Sequence, residues 1–173
     1  MTIRRERRED AAEIARVIEA AFGDRSVATF AEQIRASPGY VPELAFVTEE
    51  EGEILAHTML SKVLLAGPDV EVLILTPMSV RPDRQRQGVG KALIEAALDA
   101  ADARGEPLVL CEGVPSYYPQ FRFRSATELG LERPDPRIPD EAWMVRPLRA
   151  YDPALRGRVV YPSFFPPLPP EFG

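Results

Sequence analysis

The sequence predicts an α+β fold around a mixed, mostly antiparallel sheet of six to seven strands. Three features carry that prediction. Two helical stretches near the N-terminus give way to three apolar runs joined by tight turns. A polar loop with two glycines then opens a long helix, and a short buried-type strand follows it directly.

Taken in order, residues 2–6 suit a short first strand. Asp10, with Glu13 three positions on, offers a capping box. Ile14, Val17, Ile18, Ala21 and Phe22 then recur at helical spacing until Gly23. Ser26 is placed to cap a shorter helix with Val27, Phe30, Ala31 and Ile34 on one face, broken by Ser37, Pro38 and Gly39. The texture changes to strands at Leu44–Thr48, Ile54–Ala66 and Val70–Val80, with turns at Glu49–Glu53 and Gly67–Asp69. Beyond the polar stretch Arg81–Gly88, the residues Val89, Leu93, Ala96, Ala97 and Ala100 mark a long helix that Gly105 and Pro107 stop, and Leu108–Cys111 reads as a strand. Weaker strands are expected near Thr127–Leu131 and Trp143–Leu148. From Tyr161 onward five of thirteen residues are proline, which excludes helix. An extended arm packing Phe164, Phe165, Leu168 and Phe172 on the domain is the expectation there; a ligand for a proline-binding module is the alternative. The expected division is a domain over residues 1–150 and a proline-rich extension over 151–173.

Composition narrows the chemistry. At 173 residues, 45% of them hydrophobic and 28% charged, the chain can bury a core without staples. One cysteine and one histidine exclude an intrachain disulfide and starve any Cys/His metal site, so no metal is expected. A net charge of −6 argues against a nucleic-acid surface, although nineteen arginines outnumber two lysines. No apolar run approaches a membrane span, and the stretch from Met1 to Glu6 lacks a signal-peptide apolar core. A cytoplasmic protein without membrane partners is the expectation.

The chemistry concentrates in Val80–Leu93. A strand ends, a polar loop follows, and a helix begins. Amides not yet committed to helix bonding gather there, and the helix dipole adds partial positive charge. Arg84, Arg86 and Lys91 supply cations, although each also suits plain solvated loop charge. Gly88 and Gly90 remove the Cβ atoms that would obstruct a phosphate. A Walker A loop ending at Gly90-Lys91 would need Ser or Thr where Ala92 stands and Gly where Gln85 stands. The dinucleotide fingerprint fails at Leu93.

The run Gln85-Arg86-Gln87-Gly88-Val89-Gly90 does resemble the Gln/Arg-x-x-Gly-x-Gly/Ala loop of the GNAT N-acetyltransferases. Downstream, Tyr118-Pro119-Gln120-Phe121-Arg122-Phe123 resembles that family's Tyr-x-x-x-Gly-Phe, with Arg122 in place of glycine. Further likeness runs through Gly52–Val63, Thr76–Val80, Gly113–Phe123 and Gly157–Tyr161. The resemblance implies a three-layer fold with helices on both faces of a sheet splayed between strands 4 and 5. It implies acetyl-CoA as co-substrate, held by Gln85, Arg86, Gln87, Gly88, Val89, Gly90 and Lys91 at the pyrophosphate and by the backbone of Met78, Ser79 and Val80 at pantetheine. Tyr118 maps onto the general acid that protonates the departing sulfur. A packing aromatic without acid duty is its alternative, and for the strand residues the alternative is ordinary sheet pairing.

The partner implied is an amine-bearing acceptor, a small molecule or peptide, bordered by residues 23–40 and 132–142; a homodimer is left open. No base is identifiable: His57 has a suitable ordinary pKa and Glu112 ends a strand, yet each equally suits a structural or solvated role. Cys111 sits in an apolar run, which disfavours an acyl-cysteine relay. Arg122 and the missing base leave a non-catalytic acyl-CoA sensor as the rival to an acetyltransferase.

Overall fold

The computed structural model describes residues 1–166. Its elements run β1 (Thr2–Arg5), α1 (Ala11–Phe22), α2 (Arg25–Arg35), β2 (Tyr40–Glu50), β3 (Glu53–Leu65), β4 (Val70–Val80), α3 (Val89–Ala103), β5 (Leu108–Glu112), β6 (Arg124–Ser125), β7 (Leu131–Glu132), β8 (Trp143–Pro147) and β9 (Gly157–Val160). The hydrogen-bonded order is β1-β2-β3-β4-β5-β8-β6, with β9 joining β3 and β7 joining β9. The pairs β1–β2, β2–β3, β3–β9, β5–β8 and β6–β8 are antiparallel; β4–β5 and β7–β9 are parallel. The α+β class and mostly antiparallel sheet match the expectation, with nine strands among the described residues in place of six to seven.

The chain divides into two compact units, Met1–Ser61 with Leu75–Ala101, and Lys62–Ile74 with residues 102 onward. In the first, α1 buries Ile14, Val17 and Ile18 and α2 buries Ala28, Phe30, Ala31 and Ile34. Gly23 closes α1 in the left-handed region (φ 67°), its N–H donating to Glu19 O, as its position predicted. The caps differ from expectation. The Asp10 carboxylate takes Arg4 and the Arg7 N–H instead of capping α1, and Glu13 accepts the Ile54 N–H. Asp24, not Ser26, caps α2, accepting the Ser26 N–H at 2.8 Å. Tertiary partners outcompeted the local cap in the first case; in the second, the better acceptor lay two residues upstream.

The second unit packs Leu108 and Leu110 of β5, Trp143 and Val145 of β8, Val63 and Leu65 of β3, and Val159 of β9 into one apolar cluster. Trp143 is fully buried and its indole N–H donates to Leu131 O at 2.9 Å, so the largest side chain there leaves no donor unmatched. The stretch expected as a strand near Thr127–Leu131 is a 3₁₀ turn over Thr127–Leu129 closed by Gly130 (φ 77°), with strand pairing only at Leu131–Glu132. β9 pairs Val160 with Leu64 and Val159 with Leu65, while Tyr151, Leu155, Tyr161 and Phe165 lean on the cluster. Leu168 and Phe172 of the expected arm lie outside the described residues.

Candidate active site

In the first unit β4 ends at Val80, a 3₁₀ turn spans Pro82–Arg84, and α3 opens at Val89. Two glutamine side chains fasten the loop: Gln85 Nε2 donates to Val80 O at 3.1 Å and Gln87 Nε2 to Asp83 O at 3.0 Å. Ala92 N–H donates to Gly88 O at 3.1 Å, but the amides from Arg86 to Lys91 have no backbone acceptor among the described residues. Arg86 (φ 58°) and Gly88 (φ 83°) take left-handed conformations, which turn successive amides out of helical alignment. A Cβ on Gly88 would meet nothing within 4 Å, so glycine there serves the backbone and keeps the space beside it open. Gln85–Gly88 and Lys91 are exposed, Gly90 is half-buried and Val89 anchors the loop in the core.

The cations sort themselves. Arg84 is bound by Glu50, and Arg81 by Glu53 and Asp83, so Arg84 is a brace for the loop and not a spare charge, against expectation. Arg86 and Lys91 have no side-chain partner among the described residues. Uncommitted amides with two uncommitted cations fit the diphosphate of a coenzyme A ester. Upstream, Met78 and Val80 are half-buried, while Ser79 is buried with its hydroxyl donating to His57 O at 3.5 Å.

In the second unit, strand alternation sends the last two side chains of β5 to opposite faces. Cys111 points to the face of Tyr118, whose ring packs edge-on against Phe123 at 5.6 Å and Tyr117 at 5.2 Å. Gly113 makes room for this ring: a Cβ there would fall 2.4 Å from Tyr118 Cε2. Burial pushes the Tyr118 phenol up, and the adjacent Cys111 thiol adds to the shift. Burial pushes that thiol up as well. Arg122, standing where glycine was expected, adopts the left-handed conformation itself (φ 63°, ψ 25°), and its N–H donates to Pro119 O, so the turn after Tyr118 closes.

Glu112 points to the other face, with Trp143 opposite it across β8. Tyr161 Oη donates to Glu112 Oε2 at 2.9 Å. Burial raises the Glu112 carboxyl; the Tyr161 hydrogen bond opposes that rise, and Asp135 adds to it.

His57 is fully buried, and its Nε2 lies 2.8 Å from Glu6 Oε2. Burial pushes the imidazole down despite that carboxylate, so the neutral ring donates through Nε2. Glu6 also accepts Arg35 Nε at 2.8 Å, Arg35 Nη2 at 3.1 Å and the Tyr40 hydroxyl at 2.6 Å. Burial would raise Glu6, but hydrogen bonds from His57, Arg35 and Tyr40 hold it at about 2. His57 thus occupies a buried network with Glu6, Arg35 and Tyr40, although its Nδ1 has no hydrogen-bond partner among the described residues. Sequence reading missed Glu6, Arg35 and Tyr40, whose partners lie 29 to 51 residues away, and gave Tyr161 no role. A lone polar residue inside an apolar strand was the one signal available. Among the described residues no group of three His, Cys, Asp or Glu is arranged to hold a metal, and no helix is long and apolar enough to cross a membrane.

The family model described as an acetyltransferase (GNAT) domain matches residues 2–126. The chain is 30% identical over 156 residues to the uncharacterized N-acetyltransferase YjhQ of Escherichia coli K12, covering 87% of this chain and 86% of that protein. The crystal structure of the GNAT family N-acetyltransferase YhbS from Escherichia coli in complex with CoA superposes with a TM-score of 0.85 at 25% identity, over 94% of this chain and 89% of that one. A GNAT family acetyltransferase from Brucella melitensis in complex with acetyl-CoA gives 0.77 at 29% identity, over 94% and 96%. With the family model matching well over half its length and the likeness to YjhQ extending further, the chain belongs to the GNAT acetyltransferase family.

Proposed function

We propose that the protein moves an acetyl group from acetyl-CoA to a primary amine of a small molecule or peptide, by direct attack in a ternary complex. The observation that carries the cofactor assignment is the run of amides from Arg86 to Lys91, at the start of α3, without backbone acceptors among the described residues. Two relatives crystallised with CoA and acetyl-CoA support it. Amides of Arg86–Gly90 would hold the diphosphate, with Gln85 and Gln87 fixing the loop and Lys91 adding charge, while the backbone of Met78–Val80 would bond pantetheine. Bound there, acetyl-CoA supplies an acyl thioester. Tyr118 is protonated at neutral pH and holds a proton for the departing sulfur. Cys111 is buried and its thiol pushed up, so it is a poor nucleophile, which supports direct attack over an acyl-cysteine relay.

A non-catalytic acyl-CoA sensor is the rival reading. The left-handed Arg122 keeps the turn that glycine would make, which removes one of its supports. Residues 1–150 are taken as the catalytic domain and 151–173 as an extension, of which the described part packs on it through Tyr161 and Phe165 against the apolar cluster. The single cysteine and the charge of −6 favour a cytoplasmic setting away from nucleic acid and membranes. The test is calorimetry with acetyl-CoA. Gly88→Asp places bulk and negative charge in the open space beside the loop and should abolish binding; unchanged affinity in that variant removes the assignment.

A further inference from the structure

Resting on that reading, we propose that Glu112 is the group that takes the proton from the acceptor amine, and that Tyr161, from the segment after β9, is its positioning residue. The geometry lies within one unit. β5 ends in two side chains on opposite faces: Cys111 toward Tyr118, and Glu112 toward Trp143 and Tyr161. The strand end therefore carries a phenolic acid on one face and a carboxylate on the other. Acyl transfer needs such a pair, one group giving a proton to the leaving sulfur while another takes a proton from the attacking nitrogen.

The balance is simple. The acceptor nitrogen forms a bond to the thioester carbon, and the C–S bond breaks. The proton that becomes acidic on nitrogen passes to Glu112, and the Tyr118 hydroxyl proton passes to sulfur. Glu112 Oε2 is engaged by Tyr161, while Oε1 has no partner among the described residues and is the oxygen that receives the proton. Glu112 is half-buried, dry enough to be tuned and open enough to be reached. Three other titratable groups among the described residues bear on it: the neighbouring Cys111 thiol, which its charge pushes up, Tyr161 and Asp135. Tyr161 donates a hydrogen bond that favours the charged form, and the Asp135 carboxylate disfavours it. Asp135 is itself held low, at about 2, by Arg137, so it stays anionic and adds its repulsion throughout the neutral range.

The experiment has a readout without turnover. In the unliganded protein, titration of the Glu112 side-chain carbon by NMR should place its pKa above the ordinary carboxylate range. Tyr161→Phe should move it higher still, because the lost hydrogen bond favoured the anion. An ordinary value, or one indifferent to Tyr161→Phe, overturns the proposal. In thiol release from acetyl-CoA across a panel of primary amines, kcat/KM should rise with pH through that same pKa. Glu112→Gln should flatten this limb and lower the rate by about 10²-fold or more, while calorimetric acetyl-CoA affinity stays unchanged. A Glu112→Gln enzyme with the wild-type profile sinks this inference and leaves the acetyltransferase reading standing. Wild-type protein that binds acetyl-CoA yet releases no thiol with any amine sinks both.

Discussion

Glu6 and Glu112 both receive a tyrosine hydroxyl, at 2.6 and 2.9 Å, yet their carboxyls shift in opposite directions. Glu6, its side chain 3% exposed, also receives a bidentate guanidinium from Arg35 and the ring N–H of His57. Four hydrogen bonds, two of them from the Arg35 guanidinium, outweigh its desolvation. Glu112 has one neutral donor and a like charge nearby, so its desolvation wins. The lesson is that burial alone does not classify a carboxylate. A saturated one is mortar, whereas an undersupplied one retains the capacity, as a reagent, that the proposal assigns to Glu112.

The largest effect belongs to the reagent side. Tyr118→Phe keeps the ring packed on Phe123 and Tyr117 and removes only the hydroxyl. Acetyl-CoA affinity should stay within about threefold while kcat falls by roughly 10²–10⁴. Near-wild-type kcat would break the pairing of Tyr118 with Glu112, and lost cofactor binding would make Tyr118 structural.

The mortar side is tested by stability. Glu6→Gln removes the carboxylate that accepts Arg35 Nε and Nη2, leaving Arg35 only its more exposed partner Glu32 among the described residues, and should cost about 3 kcal/mol at pH 7. The folded pKa of Glu6 lies below its ordinary 4.5, so its contribution is full above 4.5 and drains away as pH falls toward about 2. Denaturant melts of both proteins should converge over that window; a constant gap would mean the loss is one of packing. Glu112 carries the opposite sign. A carboxyl raised by folding costs stability once ionised, so Glu112→Gln should leave stability at pH 7 unchanged or slightly higher. A marked loss there would put Glu112 in the same class as Glu6.

How much of this was readable depended on range. The helices, the runs that became β2 to β5 and the loop before α3 announce themselves through periodicity, turn residues and glycine spacing within a dozen residues. β6 and β7 have two residues each and β9 four, too few to show a period, and they exist because β8, β9 and β3 offer them partners. The same limit hid the sites. Glu6 meets His57 across 51 positions and Glu112 meets Tyr161 across 49, so neither pairing leaves a local trace. Tyr118 and Gln85–Gly90 could be named because they lie in contiguous motifs.

The smallest effect concerns strain where the reagent side is held. Arg122 sits in the left-handed region, exposed, with no side-chain partner among the described residues. A Cβ in that conformation costs about 1–2 kcal/mol. Glycine removes this cost but widens the unfolded ensemble by about 0.4–1 kcal/mol. Arg122→Gly should therefore stabilise the protein by roughly 0.5–1 kcal/mol, read as a higher denaturant midpoint at constant slope. Arg122→Ala is the control, since it removes the guanidinium but keeps the Cβ and should gain nothing. If alanine matches glycine, the gain came from losing charge and the turn is unstrained. If glycine gains stability while kcat holds, the turn that carries Tyr118 needs only the backbone shape, and the arginine is tolerated there without serving the chemistry.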